Sequence, residues 1–180
     1  MFKLKITKEQ WEYARKEVAN HSFANRGRGD GTKDQQLTGI VGQTAVADLL
    51  RQHRPAGTGF DNGVDFDICA KTVDVKTMGR TTDMRDYYVH NFVGYQKDFQ
   101  VDFYIFTSLN KKTDELTVCG YVSKAQLLER ASFYPAGTLR TRSDGSTFRT
   151  KAPLYELKQK DLEQVKDVAD LIISINNALR

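Results

Sequence analysis

Asp65, Asp74 and Lys76 are the side chains of this 180-residue chain whose types and spacing are best suited to chemistry. They lie in the segment Gly63-Val-Asp-Phe-Asp-Ile-Cys-Ala-Lys-Thr-Val-Asp-Val-Lys-Thr77. In a strand, alternate side chains share a face. Val64, Phe66, Ile68, Val73 and Val75 then point together into a core. If the chain reverses between Ile68 and Lys71, Asp65 and Asp67 share the opposite face with Asp74 and Lys76. A turn at Cys69-Ala70 sets Asp65 across from Asp74, and one at Ala70-Lys71 sets Asp67 there instead. Directly opposed residues hold their Cβ atoms about 4.5–5.5 Å apart. Two carboxylates that close repel unless a proton or a cation sits between them. A hard cation such as Mg²⁺ suits carboxylate oxygens, and it commonly takes only one or two of them, leaving positions for water and phosphate. Lys76 beside the pair could balance its charge or position a water. The plainer alternative is a solvent-facing strand of alternating charges in which Lys76 pairs with an aspartate. The pattern alone leaves both open.

The elements that must position these groups can be read from periodicity. Thr7-Lys8-Glu9-Gln10 resembles a capping box, and Trp11, Ala14 and Val18 follow at helical spacing, predicting a helix over 7–20. Residues 26–34 read as a flexible basic loop. A second helix is expected over 35–53, with Leu37, Ile40, Val41, Ala45, Val46, Leu49 and Leu50 covering most of its circumference. Gly39 and Gly42 thin one side of it and would permit close approach to a sheet. Each glycine costs a helix roughly 1 kcal/mol, so a packing reason is expected. Short alternating runs predict strands at 64–69, 72–77, 87–93, 101–108 and 116–122. Ser123 can cap a short helix through Ala131. Asp144-Gly145 between alternating residues is a strong hairpin signal for 138–150. An amphipathic helix on Leu162, Val165, Ala169 and Ile172 is expected over 160–179.

Composition narrows the function classes. The size is that of one domain. Lys+Arg exceed Asp+Glu by 27 to 23, for a net charge of +4. That surplus permits a polyanionic partner without demanding one. The two cysteines, Cys69 and Cys119, lack metal-ligand spacing and are expected to be reduced and buried in strands, as in a cytoplasmic protein. No run suggests a signal peptide or a membrane span. There is no P-loop, dinucleotide fingerprint or serine or cysteine triad signature.

Asp65, an eight-residue gap and then Asp74-Val75-Lys76-Thr77 resembles the PD-(D/E)XK nuclease superfamily in its variant with a DVKT motif. Gly42-Gln43-Thr44-Ala45 resembles the Gly-Glu-x-Ala of that family's preceding helix, and 87–96 with 101–106 resembles its later strands. The resemblance covers roughly residues 35–125. It implies an α/β, restriction-endonuclease-like mixed β-sheet flanked by helices, here with an additional basic β-hairpin and a C-terminal helix. One domain is implied over 1–180: an N-terminal helix and basic loop over 1–34, a catalytic core over 35–125, and the basic hairpin and last helix over 126–180. It further implies a Mg²⁺-dependent (or Mn²⁺-dependent) deoxyribonuclease in which Asp65 and Asp74, helped by the Val75 carbonyl, hold the metal. Asp67 is the alternate first ligand, and Lys76 orients or activates water. Gln43 stands where the family carries a carboxylate, so it brings an amide oxygen and no charge. Val64 stands where the family usually has proline.

Around this centre Arg80 and Arg85 are placed to touch a substrate phosphate. Arg140, Arg142, Arg149 and Lys151 on the hairpin, and Arg26 and Arg28 in the glycine-rich loop, could lie along a phosphate backbone. Solubilising surface charge explains the last two groups equally well. His90 reads as a structural strand histidine. Tyr87, Tyr88 and Tyr95 could stack on bases, with packing the commoner role. DNA is the expected partner, with RNA left open, and cutting both strands of a duplex would favour a homodimer. The main rival is a non-catalytic nucleic-acid-binding module on the same scaffold.

Overall fold

The chain begins with a strand that its short alternation did not announce: β1, Phe2–Lys5. The computed structural model describes residues 1–21, 31–56, 63–141 and 145–178. Helix α1 (Lys8–Asn20) starts at a capping box, with the Gln10 N–H donating to Thr7 Oγ1 at 3.2 Å and the Thr7 N–H to Gln10 Oε1 at 3.0 Å. Helix α2 (Lys33–Leu49) opens on a second such box, Thr32 with Gln35, which starts it earlier than apolar periodicity alone suggests.

Strands β2 (Phe66–Ile68), β3 (Lys71–Arg80), β5 (Phe103–Asn110) and β6 (Glu115–Ser123) join β1 in a five-stranded sheet of order β1-β6-β5-β3-β2. β3 and β5 run parallel, and the other pairs are antiparallel. Between β3 and β5 lie β4 (Val89–Val93) and a 3-10 turn, Gly94–Asp98. After α3 (Lys124–Arg130) come β7 (Ser132–Tyr134) and the hairpin β8 (Leu139–Thr141) and β9 (Thr147–Arg149). β10 (Leu154–Lys158) then pairs with both β4 and β7 in a second sheet of order β4-β10-β7. The last helix, α4, is Val168–Asn177. The result is a mixed α/β architecture with four α-helices among the described residues.

The central sheet is covered on both faces. On one, Ala14 of α1, Val41, Ala45 and Val46 of α2, and Leu171 and Ile175 of α4 bury Phe66, Ile68, Val73, Val75, Phe103 and Ile105. On the other, Phe92 of β4, Leu157 of β10 and Leu127 of α3 bury Tyr104, Phe106 and Cys119. Two expectations change here. Val64 packs against this second cluster and not with Phe66 and Ile68; it precedes β2, where strict alternation no longer applies. The predicted helix over 160–179 begins only at Val168, because Leu162 belongs to the second cluster and Val165 to the first. One helical face cannot serve both sides of a sheet. The backbone of Glu163 instead bridges to Tyr121, and the Asp167 side chain caps α4.

The glycines of α2 also separate. A Cβ at Gly42 would fall 2.7 Å from Thr77 Cβ, so this residue lets α2 lie directly on β3. A Cβ at Gly39 would meet nothing within 4 Å, so the packing reason expected there is absent.

Candidate metal and phosphate site

The two-residue turn between β2 and β3 sets the register that places Asp67 and Asp65 along β3. Cys69 and Ala70 both take positive φ, 51° and 60°, the conformation of a type I′ hairpin turn. The resulting register pairs Ile68 with Lys71, Asp67 with Thr72 and Phe66 with Val73. Asp65 lies just before β2, its N–H donating to the Val73 carbonyl at 2.8 Å, so it reaches the edge of β3 at Val73 and Val75, the residues that flank Asp74. Asp67, the alternate ligand, is exposed opposite Thr72, nearer the turn. Cys69 sits exposed at that turn rather than buried in a strand, while Cys119 is buried, and both thiols are free.

Asp65 and Asp74 each meet a donor supplied by β3. The Val75 N–H donates to Asp65 Oδ2 at 2.7 Å. Lys76 Nζ lies 2.5 Å from Asp74 Oδ2, with side-chain exposures of 18% for Lys76 and 4% for Asp74. The charge of the acid pair is therefore met in part by the chain itself, through one ammonium and one peptide N–H. A carboxylate offers about four lone-pair sites, so such bonds and a bound cation can share each group. In a strand a residue's N–H and C=O point to the same side, so the Val75 carbonyl faces the edge where its N–H meets Asp65.

The base of β3 is fixed by a short network. Asp102 Oδ2 accepts from the Thr72 N–H at 2.9 Å and from Thr72 Oγ1 at 3.0 Å, and Thr72 Oγ1 accepts the Asp102 N–H at 2.9 Å. This ties the acid-bearing strand to the start of β5.

One residue at the site went unmarked in the sequence. Tyr104 is the parallel partner of Asp74 on β5 and is fully buried. Its hydroxyl has no hydrogen-bond partner among the described residues. Burial, with the charge of Asp74 second, raises its pKa well above that of an ordinary phenol. It remains a neutral O–H donor beside an acid. A tyrosine within the apolar run 103–106 was the only signal available.

The remaining candidates are dispersed. Gln43 lies on α2, which covers the opposite face of β3 through Gly42 and Thr77, and no hydrogen bond joins it to the acids or Lys76 among the described residues. Arg80 turns into the protein: its Nη2 donates to the Val89 carbonyl at 2.7 Å and its guanidinium stacks 4.4 Å from the Tyr88 ring. Burial lowers its pKa. Arg85 is exposed and bonds Tyr87 Oη at 2.9 Å. Arg140 is taken up by Glu156, 2.6 Å away, and stacks on Tyr134 at 3.8 Å. Arg149 is exposed and donates to the Gly137 carbonyl, while Lys151 is exposed and lines a groove with Tyr95 and Tyr155. Arg26, Arg28 and Arg142 lie outside the described residues. His90 is structural: it is fully buried, its Nε2 lies 2.7 Å from Gln159 Oε1, and burial pulls its pKa down to about 4.

As metal donors, Asp65, Asp74 and the Val75 carbonyl form a set of hard oxygens, which suits Mg²⁺ or Mn²⁺. Among the described residues no group of three or more His, Cys, Asp or Glu side chains could hold a metal. No helix among the described residues is long and apolar enough to cross a membrane. No protein-family model, no curated protein and no solved structure matches the chain.

Proposed function

We propose that this chain is a divalent-cation-dependent nuclease with a restriction-endonuclease-like fold that hydrolyses phosphodiester bonds in DNA. The observation that carries the reading is the cluster at the hairpin of the Cys69-Ala70 turn: Asp65 accepts the Val75 N–H beside Asp74, and Lys76 pairs with Asp74. Asp65, Asp74 and the Val75 carbonyl would hold Mg²⁺ or Mn²⁺, which supplies Lewis acidity toward a phosphoryl oxygen when bound. The Lys76 ammonium lies where it can orient the attacking water and offset negative charge gathering on phosphate. Tyr104 keeps its proton at neutral pH and can donate to an oxygen beside Asp74. In the reaction a water oxygen bonds to phosphorus, the ester oxygen leaves, and the proton lost by water passes to solvent or to the leaving oxygen. Free thiols at Cys69 and Cys119 suit a reducing, cytoplasmic setting. Cleavage of both strands of a duplex would call for a twofold pair of chains.

A second reading, a nucleic-acid-binding module without turnover, is favoured by one observation: no third acidic or histidine ligand joins the pair among the described residues. Cleavage separates the two. Incubation of the native protein with single- and double-stranded DNA and Mn²⁺ is expected to give cleavage that EDTA abolishes and that Asp74→Asn removes. Salt-sensitive binding with no cleavage under any cation would establish the second reading instead.

A further inference from the structure

A groove of about 730 Å³ opens on the second sheet, between the Gly94–Asp98 turn and β7 and β10. Its walls are aromatic, Tyr95 on one side and Phe133 with Tyr155 on the other, and Lys97 and Lys151 stand at its edges with Asp98 as the acidic lining group. Phe133 is 51% exposed although its ring centroid lies 4.9 Å from that of Tyr155. Exposed aromatic rings grouped in a concavity mark a binding surface more often than scattered apolar residues do. The groove is built closely: the Gly94 N–H donates to the Pro153 carbonyl at 2.7 Å, and a Cβ at Gly94 would fall 2.6 Å from Pro153 Cβ.

The groove is tied to both acids. From Phe133 the rings continue through Tyr155 to Phe92, 6.1 Å away, and then to Tyr104, 5.0 Å away, which is the strand partner of Asp74. From the other wall, Tyr95 meets Phe99 at 6.3 Å, and Phe99 packs against Gly63, two residues before Asp65. Groove and acids thus belong to the same side of the central sheet.

We propose that this groove holds an unpaired stretch of nucleic-acid strand, with bases stacking on Phe133, Tyr155 and Tyr95 and phosphates meeting Lys97 and Lys151. Aromatic faces with flanking cations are the means by which single strands are held without sequence preference. A duplex keeps its bases stacked on one another and offers no free face to Phe133. An apolar peptide would fill the groove but leave both lysines unmatched. The identity of the polymer rests on the proposed function; the existence of the subsite does not require turnover.

The test is fluorescence anisotropy with the full chain in EDTA, where no metal-dependent cleavage occurs. The probe is labelled oligothymidylate of about 12 nucleotides, within the range one such surface covers, against a duplex of the same length. The native protein is expected to prefer the single strand. Phe133→Ala should weaken that binding by about 5- to 100-fold. The paired variant Lys97→Ala/Lys151→Ala, exposed on the surface and harmless to folding, should flatten the slope of log affinity against log salt by about 1.4. Leu128→Ala, on an exposed apolar residue of α3, should change neither. Native-like affinity and salt slope in both groove variants, a preference for duplex, or binding only of an apolar peptide would overturn the proposal. Cleavage that fails while this binding pattern holds removes only the nuclease reading; cleavage that persists with groove variants binding normally removes only the groove.

Discussion

Replacing Lys76 with methionine removes a cation that lies 2.5 Å from a carboxylate oxygen of Asp74, a side chain only 4% exposed. At an effective dielectric of about 20 the gross attraction across that distance is roughly 6–7 kcal/mol. Most of it is offset by the cost of drying both groups, so it is not the net stability of the pair. Losing one member of a buried pair is the severe change, because the remaining charge stays buried, and this costs about 3–5 kcal/mol. Lys76 keeps 18% of its side chain exposed, so the lower end, about 3 kcal/mol, is expected. Asp74→Asn/Lys76→Met removes both charges and should be closer to native than Lys76→Met alone, with a coupling energy of about 2 kcal/mol. Urea unfolding in EDTA, followed by the fluorescence of Trp11, measures all four members of the cycle. A Lys76→Met loss below about 1 kcal/mol, or a double variant equal to the sum of the singles, would refute the reasoning. The same numbers bear on activity assays, since a Lys76 variant must be compared at a temperature where it remains folded.

Three further outcomes are expected. Gly42→Ala should destabilise by about 1–3 kcal/mol because its methyl would strike Thr77, while Gly39→Ala should stabilise by up to about 1 kcal/mol, and thermal unfolding that ranks them the other way would show α2 to be seated differently. Ala70→Gly should stabilise by about 1 kcal/mol by relieving a positive φ of 60° in the hairpin turn, and a loss of stability would argue against the type I′ geometry. The pKa of His90 falls from 6.5 to about 4 on folding, so the unfolded chain binds the extra proton first. Its contribution of about 3 kcal/mol is therefore complete above pH 6.5, declines as pH falls and is gone below about pH 4. His90→Phe should flatten the urea-derived stability profile between those limits, and parallel profiles would contradict the assignment.

Much of the site could be read from residue order because β-structure has a strict period. Asp74 and Lys76 had to share a face once Val73 and Val75 were assigned to a core, while Asp65 lies just before β2, where the alternation ends, and the register was open. That register depended on a turn with no glycine or asparagine to announce it: Cys69 and Ala70 adopt positive φ without the residue types that usually signal it. Thr7 and the strands expected on either side of Asp144-Gly145 carried local signals, and the cap and the pairing of β8 with β9 appear where expected. β1 and β10 did not, since their partners, β6 and β4, are distant in sequence and their alternation spans only a few residues. The partners of two arginines were hidden for a related reason. Arg80 and Arg140 look like free cations in a row of letters, but Tyr88 and the Val89 carbonyl hold the first, and Tyr134 with Glu156 hold the second. Gln43 follows the expected helix motif, yet that helix covers the face of β3 turned away from the acids.

Titration with Mn²⁺ followed by electron paramagnetic resonance asks whether the acids of β2 and β3 hold a divalent ion. The native chain should remove Mn²⁺ from the free pool at a single site in the sub-millimolar range. Asp74→Asn, which preserves shape and deletes one charge, should weaken that uptake by about tenfold or more, and Asp67→Asn should leave it unchanged. Mn²⁺ that stays free in the presence of native protein, or that binds equally well to Asp74→Asn, would contradict the metal-dependent reading.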